Sequence, residues 1–424
     1  MAGLIGPAGE GVKEARDTTP SALGAPGRST IDAVLSSRTA WDLAANALAA
    51  RTDALRASGR PVLDLAQSNP TRAGLAWDPG ELAAILADPR AATYEPTPQG
   101  LPAARAAVAE YLAARGAPVD SDRILLTAST SEAYALLFKL LCDPGDEVLV
   151  PAPSYPLLDL LADLEAVRLV RYPLRYDGGW HVDLAAVEAA VGPSTRALVA
   201  VSPANPTGAV LDGEALAALD RLCAAHDLAL LGDEVFADTA LVPCPSVAAS
   251  PREALAFHLS GLSKVCGLPQ LKAGWIAAAG PAARVGPALA RLEVIADAYL
   301  SVSGPAQLAL PALLARRERF LAPLRARLAG NRATLAAIRD APVSALASAG
   351  GWTAVLRLGD TVDEEALCLA LLEDGVVVQP GFFYDFERPG HLVVSLLPPP
   401  QELAQGIGRV IARCVSGDFA NPSG

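Results

Sequence analysis

Between residues 123 and 232, short apolar runs alternate with helical segments, and this rhythm restricts the possible folds more than any other feature. Strands are expected at 123–127, 147–150, 166–172, 197–202 and 229–232, with helices at 131–142, 156–164 and 212–226. Such βαβ alternation builds a mostly parallel sheet covered by helices, an α/β architecture. Ligands of these sheets sit beyond the carboxyl ends of the strands. The loops after Thr127, Ser202 and Gly232 are therefore where chemistry is expected.

The flanks read differently. Residues 31–58 carry a helical pattern through Leu35, Trp41, Leu43, Leu48 and Leu55, and 61–66 is strand-like. Asn69-Pro70-Thr71-Arg72 reads as a loop, and 101–115 as an amphipathic helix opened by Pro102. Beyond Pro305, an arginine-rich helical region at 308–337 precedes short strands at 352–358, 376–379 and 392–396. This predicts a smaller α+β domain. The expected division is a disordered tail (1–30), a segment packing with the small domain (31–90), a large domain (91–305) and a C-terminal small domain (306–417). With 424 residues, 52% of them hydrophobic, the chain can bury cores for both domains.

The net charge of −12 argues against a nucleic-acid partner and reads as solubility. No apolar run reaches membrane-spanning length, and residues 1–17 lack a secretory pattern. Cys142, Cys223, Cys244, Cys266, Cys368 and Cys414 are scattered and form no Cys-x-x-Cys pair. They read as reduced residues of a cytoplasmic protein, and four histidines are too few for a clustered metal site.

Four loops carry candidate chemistry. Ser129, Thr130 and Ser131 stand between a strand and a helix, where exposed amides suit an anion such as phosphate. An ordinary helix cap explains them equally well. Asn205 sits in Ser202-Pro-Ala-Asn-Pro-Thr-Gly208, which is either a rigidly placed donor or a plain turn. Asp233 ends an apolar strand, where a carboxylate needs a partner unless it caps a helix. Lys264 lies in Ser-Gly-Leu-Ser-Lys-Val-Cys-Gly-Leu-Pro, residues 260–269. The chain has only four lysines, Lys13, Lys139, Lys264 and Lys272, against 30 arginines. A surface lysine is the plain reading. Lysine, unlike arginine, can form a Schiff base once its amine is partly desolvated.

In this order the loops resemble the class I/II aminotransferases, fold-type-I enzymes of pyridoxal 5'-phosphate, from about Val62 to Arg413. Tyr94-Glu-Pro-Thr-Pro-Gln-Gly100, Pro153-Ser-Tyr155-Pro, Asn205-Pro-Thr-Gly208, Asp233-Glu-Val and Ser263-Lys264 with Gly267-Leu-Pro carry the resemblance. It implies that the 91–305 domain binds the cofactor, that Lys264 holds it as an internal aldimine and that its freed amine shuttles the proton. It further implies that Asp233 pairs with the pyridine nitrogen, Asn205 bonds the phenolic oxygen and Tyr155 stacks on the ring. Ser129, Thr130, Ser131 and Lys272 would contact the phosphate. Tyr94 would reach the cofactor of a neighbouring subunit in a homodimer. The implied activity is ping-pong amino transfer from an amino acid to a 2-oxo acid.

Departures from the family pattern accompany these matches. Phe236 stands where a tyrosine usually donates to the phenolic oxygen, Lys272 where an arginine usually binds phosphate, and Gly261 where serine is common. Val393 occupies the position of the arginine that clamps the substrate carboxylate, with Arg72 and Arg388 as candidate substitutes. A lyase or decarboxylating deaminase on the same fold, or a non-catalytic cofactor-binding protein, remains an alternative.

Overall fold

The apolar runs predicted as strands assemble into one sheet in the computed structural model, which describes residues 34–41, 43, 46–339 and 341–418. After a short strand β1 (Leu63–Asp64) come β2 (Ile124–Thr127), β3 (Glu147–Ala152), β4 (Arg168–Tyr176) and β5 (Trp180–Val182). They are followed by β6 (Thr195–Val201), β7 (Ala229–Asp233), β8 (Leu255–Gly261) and β9 (Gly274–Ala279). The eight strands after β1 lie in the order β2-β9-β8-β7-β6-β3-β4-β5. The central strands β8, β7, β6, β3 and β4 are parallel. Antiparallel pairings close both edges, β5 on β4 at one end and β9 between β8 and β2 at the other.

Both faces of this sheet are buried. Val148 and Val150 pack with Phe138 and Leu137 of the helix Thr130–Leu141 on one side. Leu149 packs with Leu216 and Leu219 of the helix Gly213–Ala225 on the other. Burial on two sides explains why these strands are continuous apolar runs rather than alternating ones. The ends of β2, β6, β7 and β8, with the start of β9, meet at one edge, since Thr127 and Gly261 both pair with Gly274.

A second sheet comes from the last quarter of the chain. It orders β10 (Ser344–Ala345), β11 (Thr353–Arg357), β14 (His391–Ser395) and β13 (Gln379–Pro380), all antiparallel. Strand β12 (Val376–Val377) pairs in parallel with β1, which ties the early segment to this region. Leu65 shares a core with Leu371, Leu403 and Val394. Among the described residues, no helix is long and apolar enough to cross a membrane.

Two helical expectations need correction. Among the described residues of 31–58, the α-helix covers Ala47–Ala57, capped by Asn46, whose Oδ1 accepts from Ala49 N at 2.7 Å. The part at 34–41 holds one 3₁₀ turn, and its contacts are tertiary: Trp41 Nε1 donates to Asp163 and Arg38 to the Leu164 carbonyl. Residues 308–337 form two helices, Gly304–Ala315 and Glu318–Ala336. The break lets the first pack beside the helix Pro102–Ala114 and the second beside Pro400–Ser416, which one straight rod could not do. The tail at 1–30 lies outside the described residues.

Candidate active site

Strand β8 ends at Gly261, and the next four residues form a single helical turn, Leu262–Val265, that carries Lys264. The Lys264 amine lies 4.8 Å from the centre of the Trp352 ring and 5.4 Å from that of Phe236. These rings meet edge to face at 5.4 Å. Burial lowers the Lys264 pKa to about 8, opposed in part by the nearby Asp233 carboxylate. The indole nitrogen of Trp352 is buried without a hydrogen-bond partner among the described residues.

Asp233 closes strand β7. Tyr134 OH donates to its Oδ2 at 3.0 Å and Val235 N to its Oδ1 at 3.3 Å. Burial still pushes its carboxyl pKa up, because these donors and His258 do not fully offset desolvation. Tyr134 lies on the helix Thr130–Leu141, so that helix also positions Asp233. Glu234 enters a separate buried network. Its Oε1 accepts from Val247 N at 2.7 Å, and its Oε2 lies 3.1 Å from His258 Nδ1 and 3.8 Å from Arg115. Burial would raise the Glu234 pKa, but His258 and Arg115 outweigh it and hold the carboxyl low. Trp275 Nε1 donates to His258 Nε2 at 3.4 Å. An indole only donates, which leaves the His258 proton on Nδ1, facing Glu234.

Asn205 follows strand β6. Its Oδ1 accepts from Thr353 Oγ1 at 3.5 Å, and no hydrogen bond engages its amide nitrogen among the described residues. Thr353 also donates to the Pro206 carbonyl at 2.9 Å, joining the two sheets. Gly208 has φ +68°, and a Cβ there would stand 2.4 Å from the Gly350 carbonyl oxygen. A Cβ on Gly350 would stand 2.7 Å from Pro203, so backbone meets backbone at this seam.

The Ser129 loop caps a helix and also borders the site. Ser129 Oγ accepts from Glu132 N at 3.1 Å, and Glu132 reaches back to Ala128 N at 2.6 Å. This is a capping box displaced by one residue. Thr127 Oγ1 donates to the Ser129 carbonyl at 2.9 Å. Beside it, a Cβ on Gly274 would lie 3.0 Å from Ser260 O, 3.1 Å from Thr127 Oγ1 and 3.2 Å from the Ser129 carbonyl carbon.

Thus Lys264, Asp233, Phe236, Asn205 and the Ser129–Thr130–Ser131 loop gather at one edge of the large sheet. The remaining expected residues stand more openly. Lys272 is exposed in a left-handed conformation (φ +51°) just before strand β9. Tyr155 is 43% exposed on the loop after β3, and Tyr94 is 76% exposed. Tyr94 lines a cleft of about 260 Å³ with Pro96, Leu126, Leu300 and Gln307, and neither Lys264 nor Asp233 lines it. Val393 is fully buried in β14, while Arg72 and Arg388 are exposed.

Sequence reasoning missed Tyr134 and Trp352. Tyr134 lay within an apolar helical stretch where a core role suffices. Trp352 follows Gly350–Gly351, a glycine pair that marks close backbone approach and could have drawn attention to its neighbour.

With its loops converging at the carboxyl edge on a lysine and an aspartate, this α/β sheet has the fold of solved aminotransferases. Residues 60–410 match the model of the family described as aminotransferase class I and II. The chain belongs to that family and is a transaminase. It is 32% identical over 370 residues to the alanine aminotransferase of Mycobacterium tuberculosis, covering 84% of this chain and 86% of that one. It is 27% identical over 376 residues to the glutamate-pyruvate aminotransferase AlaA of Escherichia coli, covering 86% and 92% respectively. A double mutant of the Thermus thermophilus aspartate aminotransferase superposes with TM-score 0.76 at 25% identity, covering 90% of this chain and 99% of that one.

Proposed function

We propose that this transaminase binds pyridoxal 5'-phosphate through Lys264 and moves amino groups between an amino acid and a 2-oxo acid, as a cytoplasmic homodimer. The observation that carries this reading is the Lys264 amine, held 4.8 Å from the Trp352 ring and 5.4 Å from the Phe236 ring, where burial lowers its pKa to about 8 beside Asp233. Such an amine is partly neutral near physiological pH and can add to an aldehyde carbon.

The surrounding residues fit the cofactor. Asp233 is a carboxyl raised by burial that makes no ion pair within 4 Å among the described residues, and a protonated ring nitrogen would supply one. The unengaged Asn205 amide would donate to the ring oxygen. Phe236 has no hydroxyl to add a second donor. Gly274 keeps open the space beside Thr127 and Ser129, where Ser129, Thr130, Ser131 and Lys272 would hold the phosphate. Tyr155 would cover the ring face, and Tyr94 would reach the site of a second subunit. When bound, the cofactor supplies the electron sink that lets a proton leave the substrate α-carbon. Lys264, once released from the cofactor, would carry that proton as general base and then as general acid. The large domain would be 91–305, with 306–417 and the early segment forming the small one.

Relatives named for alanine, glutamate and pyruvate make these the first substrates to try. The cofactor-loaded protein is mixed with single amino acids without acceptor, and 2-oxo acid, ammonia and carbon dioxide are assayed. One equivalent of 2-oxo acid per site, reversed by added 2-oxo acid, supports the reading. Continuous ammonia or carbon dioxide release refutes it.

A further inference from the structure

Aromatic rings surround the Lys264 amine. No hydrogen bond or ion pair holds that amine among the described residues; it lies over the rings of Trp352 and Phe236, 4.8 Å and 5.4 Å from their centres. Both distances fall within the reach of about 6 Å for a cation–π contact, and tryptophan is the strongest partner for one. Both rings are buried, Trp352 at 3% exposure and Phe236 at 9%. From β7, Asp233 is the charged group that acts on the amine. The other elements packed here supply rings: Phe236 from the loop after β7, Trp352 before β11, and Phe320 of the helix Glu318–Ala336, which packs on Trp352.

Trp352 is itself fixed. Phe236 and Phe320 meet its ring edge to face at 5.4 Å and 6.1 Å. Its indole N–H has no partner among the described residues, so packing rather than a hydrogen bond sets the ring's orientation. Leu396 N donates to the Trp352 carbonyl at 2.7 Å, and Arg332 Nη2 donates to the Gly351 carbonyl just before it at 2.6 Å. The next residue, Thr353, bonds Asn205 and Pro206. A ring held this way can place a lysine whose four-carbon stem is otherwise flexible.

We propose that Trp352 is a positioning residue for Lys264, its ring and that of Phe236 forming a seat that holds the amine as an ammonium whenever it is not bonded to the cofactor. The inference rests on Lys264 being the cofactor lysine and the base for the substrate α-proton. The step moves one proton and no further electrons. The neutral Lys264 amine takes the proton, sits as an ammonium over the two ring faces, and is neutral again once it gives the proton up. A ring face attracts the cation far more than the neutral amine, so the seat favours the charged form against the burial that disfavours it. The rings take no proton themselves, as a carboxylate in their place could, so the proton stays on Lys264. Phe236, without a hydroxyl, offers the amine a ring face alone.

The test labels the cofactor-free full chain with trace acetic anhydride at a series of pH values, and peptide mass gives an apparent pKa for each lysine. Trp352→Leu should lower that of Lys264 by about one unit and Trp352→Phe by less than half as much, while exposed Lys272 stays unmoved. Replacing the five tryptophans by fluorinated tryptophan keeps the ring's shape and drains charge from its face. The Lys264 pKa should then fall stepwise with added fluorine, a reading that holds even where Trp352→Leu does not fold. In the loaded enzyme, Trp352→Phe should lower kcat several-fold with KM nearly unchanged, because the seat acts on the freed amine. A Lys264 pKa unmoved by fluorination, or one that rises in folded Trp352→Leu, overturns the proposal, since a ring that merely excludes water gives that result. Borohydride trapping of cofactor on wild-type Lys264, read by peptide mass, separates the two failures. Trapping with an unmoved pKa removes only the role of Trp352, and no trapping removes the functional reading and the proposal together.

Discussion

Replacing Lys264 by methionine should stabilise the cofactor-free protein. The amine titrates near pH 8 in the fold and at 10.5 unperturbed, so folding at neutral pH opposes a proton that the unfolded chain holds readily. A shift of about 2.5 pKa units corresponds to about 3 kcal/mol. Because the side chain is partly exposed, about 2–3 kcal/mol is the expected gain at pH 7. The sign follows from proton counts. Between pH 8 and 10.5 the unfolded chain binds more protons at this group than the fold does, so wild-type stability rises with pH there. Lys264→Met lacks that rise, and its advantage should shrink to about 1 kcal/mol or less by pH 10. Urea unfolding of both cofactor-free proteins at pH 7 and pH 10 measures this directly. A variant no more stable than wild type at pH 7, or an advantage that persists unchanged at pH 10, would refute the reasoning.

Tyr134→Phe removes a donor from ionised Asp233, and activity should fall about tenfold. The acidic limb of its kcat/KM profile should move to higher pH, since Asp233 loses support for its charged form; an unmoved limb counts against the placement. Gly274→Ala should weaken pyridoxal phosphate binding about tenfold or more in equilibrium dialysis, because its Cβ crowds Thr127 and Ser129. Wild-type affinity would place the phosphate elsewhere. Gly267→Ala combines φ +65° with a Cβ 2.3 Å from the Phe320 ring. It should cost about 2–4 kcal/mol by urea unfolding, and a loss below about 0.5 kcal/mol would show that Phe320 yields freely.

The parallel centre of the sheet was legible where a strand is followed by a helix of clear period, as in 147–164 and 197–226. Strands β8 and β9 were not predicted, although Lys264 between them was singled out. Their residues are buried on both faces, so Leu255–Gly261 and Gly274–Ala279 show no alternation, and no crossover helix separates them. Lys264, Asp233 and Asn205 were legible because a charged or amide group in an apolar or proline-framed setting calls for explanation. Tyr134 was not, since a tyrosine among leucines on a helix satisfies the core without any further role. The meeting of Trp352 with Lys264 depends on tertiary packing, which a single chain read in one dimension does not contain.

The glycine seam between Gly208 and Gly350 bears on how such a protein can diverge. A side chain on either residue meets backbone or proline of the opposing loop, so neither position can vary alone. Drift is channelled into the side chains that follow the joint, at Trp352 and Thr353. New substrate preferences can then accumulate there by single substitutions while the seam keeps its shape.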